Sequence, residues 1–308
     1  MVRSALCWLI ALLLWVPWLA GATTAIFYQP QLRDREVAQA QWPSVFAQVR
    51  ARGFDTLVVQ WTQDGDAFGD PAGHAWLLQR VHEAHAAGLR IVLGLYNDPA
   101  FFHRLEVEAL QKTQLAVPDD YLPGLLRHNA EVARRWGADL GGEAIAGWYL
   151  PIEIDDMHWR SPAARKQLEH YLAAERRQLD GIAQRPVYVT SFFRGNMTPS
   201  RYAELLSDVQ RSGVRVWVQD GAGIASAEGL EGGVRALYLG AVSQCASPHV
   251  HGIIYEIFRQ TGKDAAFTAA ALPAVEASAA LAQRTPCGGD SVFFELGYLP
   301  EMAGVLRR

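Results

Sequence analysis

The chain has 308 residues, 50% of them hydrophobic, 19% charged and 10% aromatic, a balance that excludes a disordered, collagenous or highly charged chain. A chain of this length buries a large core, and as one unit it suits a barrel or a doubly wound sheet. With 28 Lys and Arg against 32 Asp and Glu the formal net charge is −4, so no broad cationic field exists for sequence-independent nucleic-acid binding.

In chain order, Arg3 precedes an apolar run from Leu6 to Val16, then Pro17, then Ala20-Gly21-Ala22. That is the pattern of an export signal cut after Ala22. The run is short of the about 20 residues a helix needs to span a bilayer; an uncleaved anchor is the rival reading. Cys7 lies inside the run, so there is no Leu-x-x-Cys lipobox. The expectation is an exported protein, periplasmic or extracellular, whose mature chain from residue 23 is one domain without a membrane span. Cys245 and Cys287 then remain in an oxidising compartment, where a disulfide persists; two buried thiols are the alternative. Neither has a Cys or His neighbour at zinc spacing.

Eight apolar or β-branched runs follow: Ala25–Gln29, Thr56–Trp61, Ile91–Tyr96, Ile145–Ile154, Val187–Ser191, Val214–Gln219, Gly252–Ile257 and Ser291–Leu296. Between them lie segments of helical periodicity: Trp42–Arg52, Trp76–Ala87, Tyr121–Trp136, Ala163–Ile182, Arg201–Arg211 and Asp264–Arg284. Gly53, Gly88 and Gly213 each stand between a helix and the next strand, the C-cap position. Eight βα units predict an α/β fold, a (β/α)8 TIM barrel. The rival, an open doubly wound sheet, normally carries a Gly-rich phosphate turn after its first strand, and here that turn reads Gln29-Pro30-Gln31. Gly221-Ala222-Gly223 lacks a third Gly, and no P-loop occurs, so nucleotide chemistry is not expected.

Barrel chemistry sits at the C-terminal ends of the strands, and those ends are polar and aromatic. Glu153 ends strand four and Glu256 strand seven, each after an apolar run. Glycosidic cleavage needs two carboxyl groups flanking the bond, one to protonate the leaving oxygen and one to attack carbon or activate water. Strands four and seven lie on opposite sides of an eight-strand mouth. Trp61, Tyr96 and Tyr149 offer stacking faces, and Gln29, Gln60, Asn97, Gln219, Asp220 and Glu295 offer polar contacts, a mouth suited to a neutral, hydroxyl-rich ligand. The plainer alternative is a Glu paired with Arg194 or Arg259, or solvated. Asp155 and Asp156 read as caps of the following loop. His82 and His85 fit a solvated helix face, and His249 and His251 precede strand seven on the stability face. The Asp64–Asp70 loop lacks calcium-loop spacing, and Ser191 lacks a nucleophile elbow. Neither a metal nor an organic cofactor is expected.

The set Phe27-Tyr28-Gln29-Pro30, Gln60-Trp61-Thr62, Gly94-Leu95-Tyr96-Asn97-Asp98-Pro99, Gly147 through Ile154, and Gln219-Asp220-Gly221 resembles a bacterial family, domain of unknown function 4434, of glycoside-hydrolase-like TIM barrels. The resemblance covers nearly the whole mature chain, the strand-four motif being its most specific part, and implies that fold and a carbohydrate role. The placement of Glu153 and Glu256 is also similar to that of retaining β-glycosidases of the large barrel clan. There the acid/base follows an Asn; here Ile152 precedes Glu153. The leading expectation is an exported glycosidase acting on a polysaccharide or exopolysaccharide, with Glu153 as acid/base, Glu256 as nucleophile and Glu295 in support. The alternatives are a non-catalytic barrel that binds exopolysaccharide or its secretion machinery, and an inverting enzyme pairing Glu153 with Asp220.

Overall fold

The computed structural model describes residues 22–105, 114–224, 233–262 and 268–306. Residues 1–21 of the expected export signal lie outside them. The barrel strands are β1 (Thr24–Tyr28), β2 (Thr56–Val59), β3 (Arg90–Gly94), β4 (Ile145–Asp155), β5 (Val187–Phe192), β6 (Arg215–Gln219), β7 (Gly252–Glu256) and β8 (Asp290–Phe294). All neighbours pair in parallel and in chain order. Ala25 of β1 registers with both Thr56 of β2 and Val292 of β8, which closes the ring. Among the described residues the helices of eight residues or more are α1 (Trp42–Ala51), α2 (Pro71–Ala86), α3 (Tyr121–Leu140), α4 (Pro162–Asp180), α5 (Pro199–Arg211), α6 (Val234–Val242) and α7 (Ala274–Leu281). The protein is therefore a (β/α)8 barrel.

Strand side chains alternate faces with period two, and this divides the core into two bodies. Ile26, Leu57, Ile91, Trp148, Val189 and Val218 face outward into the core shared with the helices. Phe27, Val58, Val92, Tyr149, Tyr188, Trp217, Ile254 and Val292 face the axis and fill it. Phe27 is the hub of that plug, with ring centroids 5.3 Å from Tyr149 and 6.1 Å from Trp217. Tyr188 stacks on Trp217 at 4.1 Å. The interior is thus a packed floor rather than a pore.

Helix starts follow local chemistry. Asp70-Pro71, Ser161-Pro162 and Thr198-Pro199 each place a capping oxygen before a proline whose missing N–H needs no partner. The side chains accept from Gly73, Ala164 and Arg201 backbone N–H at 3.2, 3.0 and 3.4 Å. Periodicity alone starts α2 at Trp76, but Asp70-Pro71 starts it at Pro71. The helix expected over Asp264–Arg284 is corrected: Ala269–Ala271 pair antiparallel with Phe258–Gln260, and helix begins only after Pro273. A run of alanines fits either state, and the proline sets the boundary. α6 has no counterpart among the expected helices.

Cys245, after α6, and Cys287, before β8, form a disulfide with Cα atoms 5.3 Å apart, on the face opposite the strand C-termini. Behind β3, Glu175 of α4 is fully buried and accepts from Asn129 Nδ2 of α3 at 2.7 Å. Asn129 Oδ1 in turn accepts the Tyr96 backbone N–H at 3.1 Å. Burial pushes the Glu175 carboxyl up to about 8.

Two stability outcomes follow. Closing a loop of 42 residues constrains the unfolded chain, so Cys245→Ser/Cys287→Ser is expected to lower the unfolding free energy in urea by about 2–4 kcal/mol. A loss under about 0.5 kcal/mol would contradict this. For Glu175 the folded pKa lies above the unfolded one, so its contribution is full below about pH 4.3 and is lost as pH rises toward 8. Glu175→Gln keeps the acceptor but removes the titration. The fall in thermal stability between about pH 5 and 8 should become shallower by roughly one proton's worth of slope; an unchanged slope rejects the assignment.

Candidate active site

The period-two count that fills the axis also builds the site. Two residues beyond each axis-facing side chain come Gln29 after Phe27, Gln60 after Val58, Thr190 after Tyr188, Gln219 after Trp217, Glu256 after Ile254 and Phe294 after Val292. All six line a cavity of about 810 Å³ above the aromatic floor. At β3 this level is Gly94, where a Cβ would stand 2.1 Å from the Gln60 carbonyl oxygen. A side chain there would push β2 away, so only glycine fits.

Strand β4 reaches the cavity differently. Tyr149 pairs with Tyr188 of β5, but Glu153, four residues on, pairs with Thr190, only two residues on. β4 therefore carries two extra residues in a bulge around Pro151, which has no N–H for the ladder. Because the insertion is even, the faces are kept: Leu150 and Ile152 stay in the outer core while Glu153 enters the cavity. Its Oε1 accepts from Gln219 Nε2 at 3.1 Å. Below it the Tyr149 hydroxyl shares a 3.0 Å hydrogen bond with Thr190.

Glu256, at 3% exposure, is the more buried carboxyl. Its Oε2 accepts the Gly223 N–H at 2.6 Å, an approach that needs glycine, since a Cβ at 223 would stand 2.7 Å from the Phe258 ring. Burial, then the negative charge of Asp220, pushes Glu256 up to about 8; Gly223 and Arg235 oppose the shift and Glu153 adds to it. Glu153 is also raised, by burial first, against the Gln219 hydrogen bond. Near neutral pH Glu256 therefore tends to hold its proton, Asp220 being the acid that acts on it most strongly. Gln60 Oε1 is shielded from solvent and accepts no hydrogen bond among the described residues, an acceptor positioned for a donor on a ligand.

Of the expected site residues, Gln29, Gln60, Tyr149, Glu153, Gln219 and Glu256 line the cavity, and Trp61, Tyr96, Asn97, Asp220 and Glu295 do not. Trp61 is buried, its indole N–H donating to Pro30 O at 3.2 Å. Tyr96 and Asn97 pair with Gln63 and Asp64 in a short sheet beyond the barrel. There Tyr96 stacks on His128 at 3.8 Å and Asn97 Nδ2 donates to Asp64 at 2.8 Å. Asp220 is tied to Arg235 at 2.9 Å and accepts from the N–H of Ala222 and Glu256. Glu295 is fully buried and accepts the Gln29 N–H at 3.1 Å. Asp155, the last residue of β4, and Asp156, just after it, both bind loop backbone. The cavity adds residues that the strand-end survey does not select: Thr190, Gln31, Arg33, Phe192, Arg194 and Gln260. The period-two count reaches Thr190 and Phe192; the others stand beyond the barrel strands, where no periodicity applies. Among the described residues no group of three or more His, Cys, Asp and Glu side chains is placed to hold a metal ion.

Barrel, floor and cavity together define a (β/α)8 barrel with a cavity at the C-terminal ends of its strands. A Bacteroides thetaiotaomicron protein described as a "putative alpha-L-fucosidase" superposes with a TM-score of 0.58 at 14% identity, over 89% of this chain and 85% of its own. The endo-1,4-beta-D-mannanase of Thermotoga petrophila RKU-1 superposes at 0.50 and 12% identity, over 89% and 87%. At these identities the likeness is one of fold. The chain belongs to the family described as Domain of unknown function (DUF4434), which matches residues 23–250. It is 42% identical over 299 residues to "Uncharacterized protein YbcH" of Escherichia coli (strain K12), covering 97% of each chain. The family match contains Glu153 and ends before Glu256.

Carbon-detected NMR of the glutamate carboxyls is expected to show Glu256 titrating near 8. Glu153→Gln removes a neighbouring negative charge and should move that midpoint down. A midpoint unmoved or raised would show that the two carboxyls do not interact.

Proposed function

We propose that the protein is an exported glycosidase that cleaves a polysaccharide with Glu153 and Glu256. The observation that carries this is that two carboxyls, brought by β4 and β7, share one cavity walled by glutamine amides and aromatic rings. Amides bind sugar hydroxyls as donors and acceptors, rings stack on sugar faces, and paired carboxyls supply acid and base. Asp220 is a poor partner for Glu153, because Arg235 and two backbone N–H groups engage it outside the cavity. Export is supported by the sequence of the first 22 residues and by a disulfide that suits an oxidising compartment. Among the described residues no helix is long and apolar enough to cross a membrane.

The resemblance of this placement to that of retaining β-glycosidases supports Glu153 as acid/base and Glu256 as nucleophile. Burial and the charge of Asp220 push Glu256 up to about 8, so attack by Glu256 requires it to lose its proton as substrate enters. Glu153→Gln and Glu256→Gln are each expected to lower the release of reducing ends by at least about 100-fold with the fold retained. Azide then separates the roles. Rescue of Glu256→Gly should yield a glycosyl azide of inverted configuration, and rescue of Glu153→Gly one of retained configuration. The opposite pattern exchanges the roles. Full activity in both glutamine variants rejects the pair, and saturable binding without turnover moves the protein to the binding-barrel class.

A further inference from the structure

The mouth that the strand ends suit to a neutral ligand carries charge in the folded chain. Among the described residues lining the cavity, every charged side chain other than Glu153 and Glu256 is an arginine: Arg33 and Arg194. Both are exposed. Arg33 follows β1 on the turn Leu32–Glu36, and Arg194 follows β5. In a closed ring of eight strands in chain order, β1 and β5 are opposite, so the two arginines stand on facing walls, around the line from β4 to β7.

Both loops are held by a buried aspartate. Asp34, at 1% exposure, accepts the Gln31 N–H at 3.0 Å and the Tyr28 hydroxyl at 3.1 Å. Asp156, at 0%, accepts the backbone N–H of Arg194 at 2.9 Å, Asn196 at 2.7 Å and Met197 at 3.1 Å. The backbone carrying each guanidinium is therefore fixed before any ligand arrives, which lowers the ordering cost of binding. Glutamines and rings already serve a neutral sugar. A guanidinium adds a planar fork of donors whose natural partner is a carboxylate.

Resting on the reading of this cavity as a glycan site, we propose that its substrate is an acidic glycan, with carboxylate-bearing sugars on both sides of the cleaved bond, one facing Arg33 and the other Arg194. The test uses the full mature chain and a panel of soluble uronate-containing polysaccharides, each paired with the same polymer after reduction of its carboxyls to alcohols. Binding is measured on Glu153→Gln/Glu256→Gln, so turnover does not intrude, and turnover on the unaltered protein. At least one acidic polymer should bind about tenfold more tightly than its reduced form, an advantage that shrinks as salt rises from about 20 to about 500 mM. Arg33→Gln and Arg194→Gln, both at exposed positions, should each lower acidic binding by about tenfold and draw the acidic-to-reduced ratio toward one. Reduced polymers that bind as well as acidic ones, or arginine variants that leave the ratio intact, overturn the proposal. Turnover confined to neutral polymers overturns it while the glycosidase reading stands. Acidic-selective binding without turnover does the reverse, and no binding or cleavage across the panel removes both.

Discussion

The alternation of side chains along strands closed into a ring is the constraint on which the rest depends. One residue in two must face the axis, and in a ring of eight the axis is just wide enough for side chains to fill. Phe27, Tyr149, Tyr188 and Trp217 fill it. The next position up on each strand then meets solvent, so polarity changes within two residues. Gln29, Gln60, Thr190, Gln219 and Glu256 are that change, and the cavity is its geometric result.

A second constraint sorts the acids. A buried carboxyl must be hydrogen-bonded or lose its charge. Asp155, Asp156 and Asp220 accept several donors each and hold loops or strand ends in place. Glu295 binds the backbone of Gln29, so it supports a cavity residue rather than meeting a ligand. Glu153 and Glu256 differ: among the described residues each accepts one hydrogen bond and opens onto the cavity. Saturated acids build the site, and under-saturated ones face its cavity.

The closeness of Glu256 to Asp220 shows how the two kinds depend on each other. Asp220 accepts the Glu256 backbone N–H, which positions the strand end, and its charge also raises the Glu256 carboxyl. Arg235 restrains that effect by pairing with Asp220. The proton affinity of Glu256 is thus set partly by a residue outside the cavity. On β4 the backbone does the equivalent work: the two-residue bulge lifts Glu153 level with Thr190.

Much of this is legible in the chain. The eight strands, the two glutamates and four of their polar or aromatic neighbours can be read from apolar runs and what ends them, because alternation is a local property. Trp61, Tyr96, Asn97, Asp220 and Glu295 stand at similar strand ends and yet lie outside the cavity. A strand end looks the same in sequence whether the chain continues the barrel wall or bends out of it. The bulge is equally hidden, since it is a mismatch between β4 and β5 and neither strand shows it alone.

The barrel's eight strands and the pair of strand-end carboxyls are legible in the chain alone, through periodicities of two and 3.6 that act over a few residues. Long-range packing settles that the axis-facing rings form a floor, which strand-end groups share a cavity, how Asp220 and burial raise Glu256, and that Arg33 and Arg194 both line that cavity. Those depend on residues far apart in the chain. Desolvation and charge act through space, where ring closure and buried aspartates bring distant segments together, and no local pattern encodes those distances.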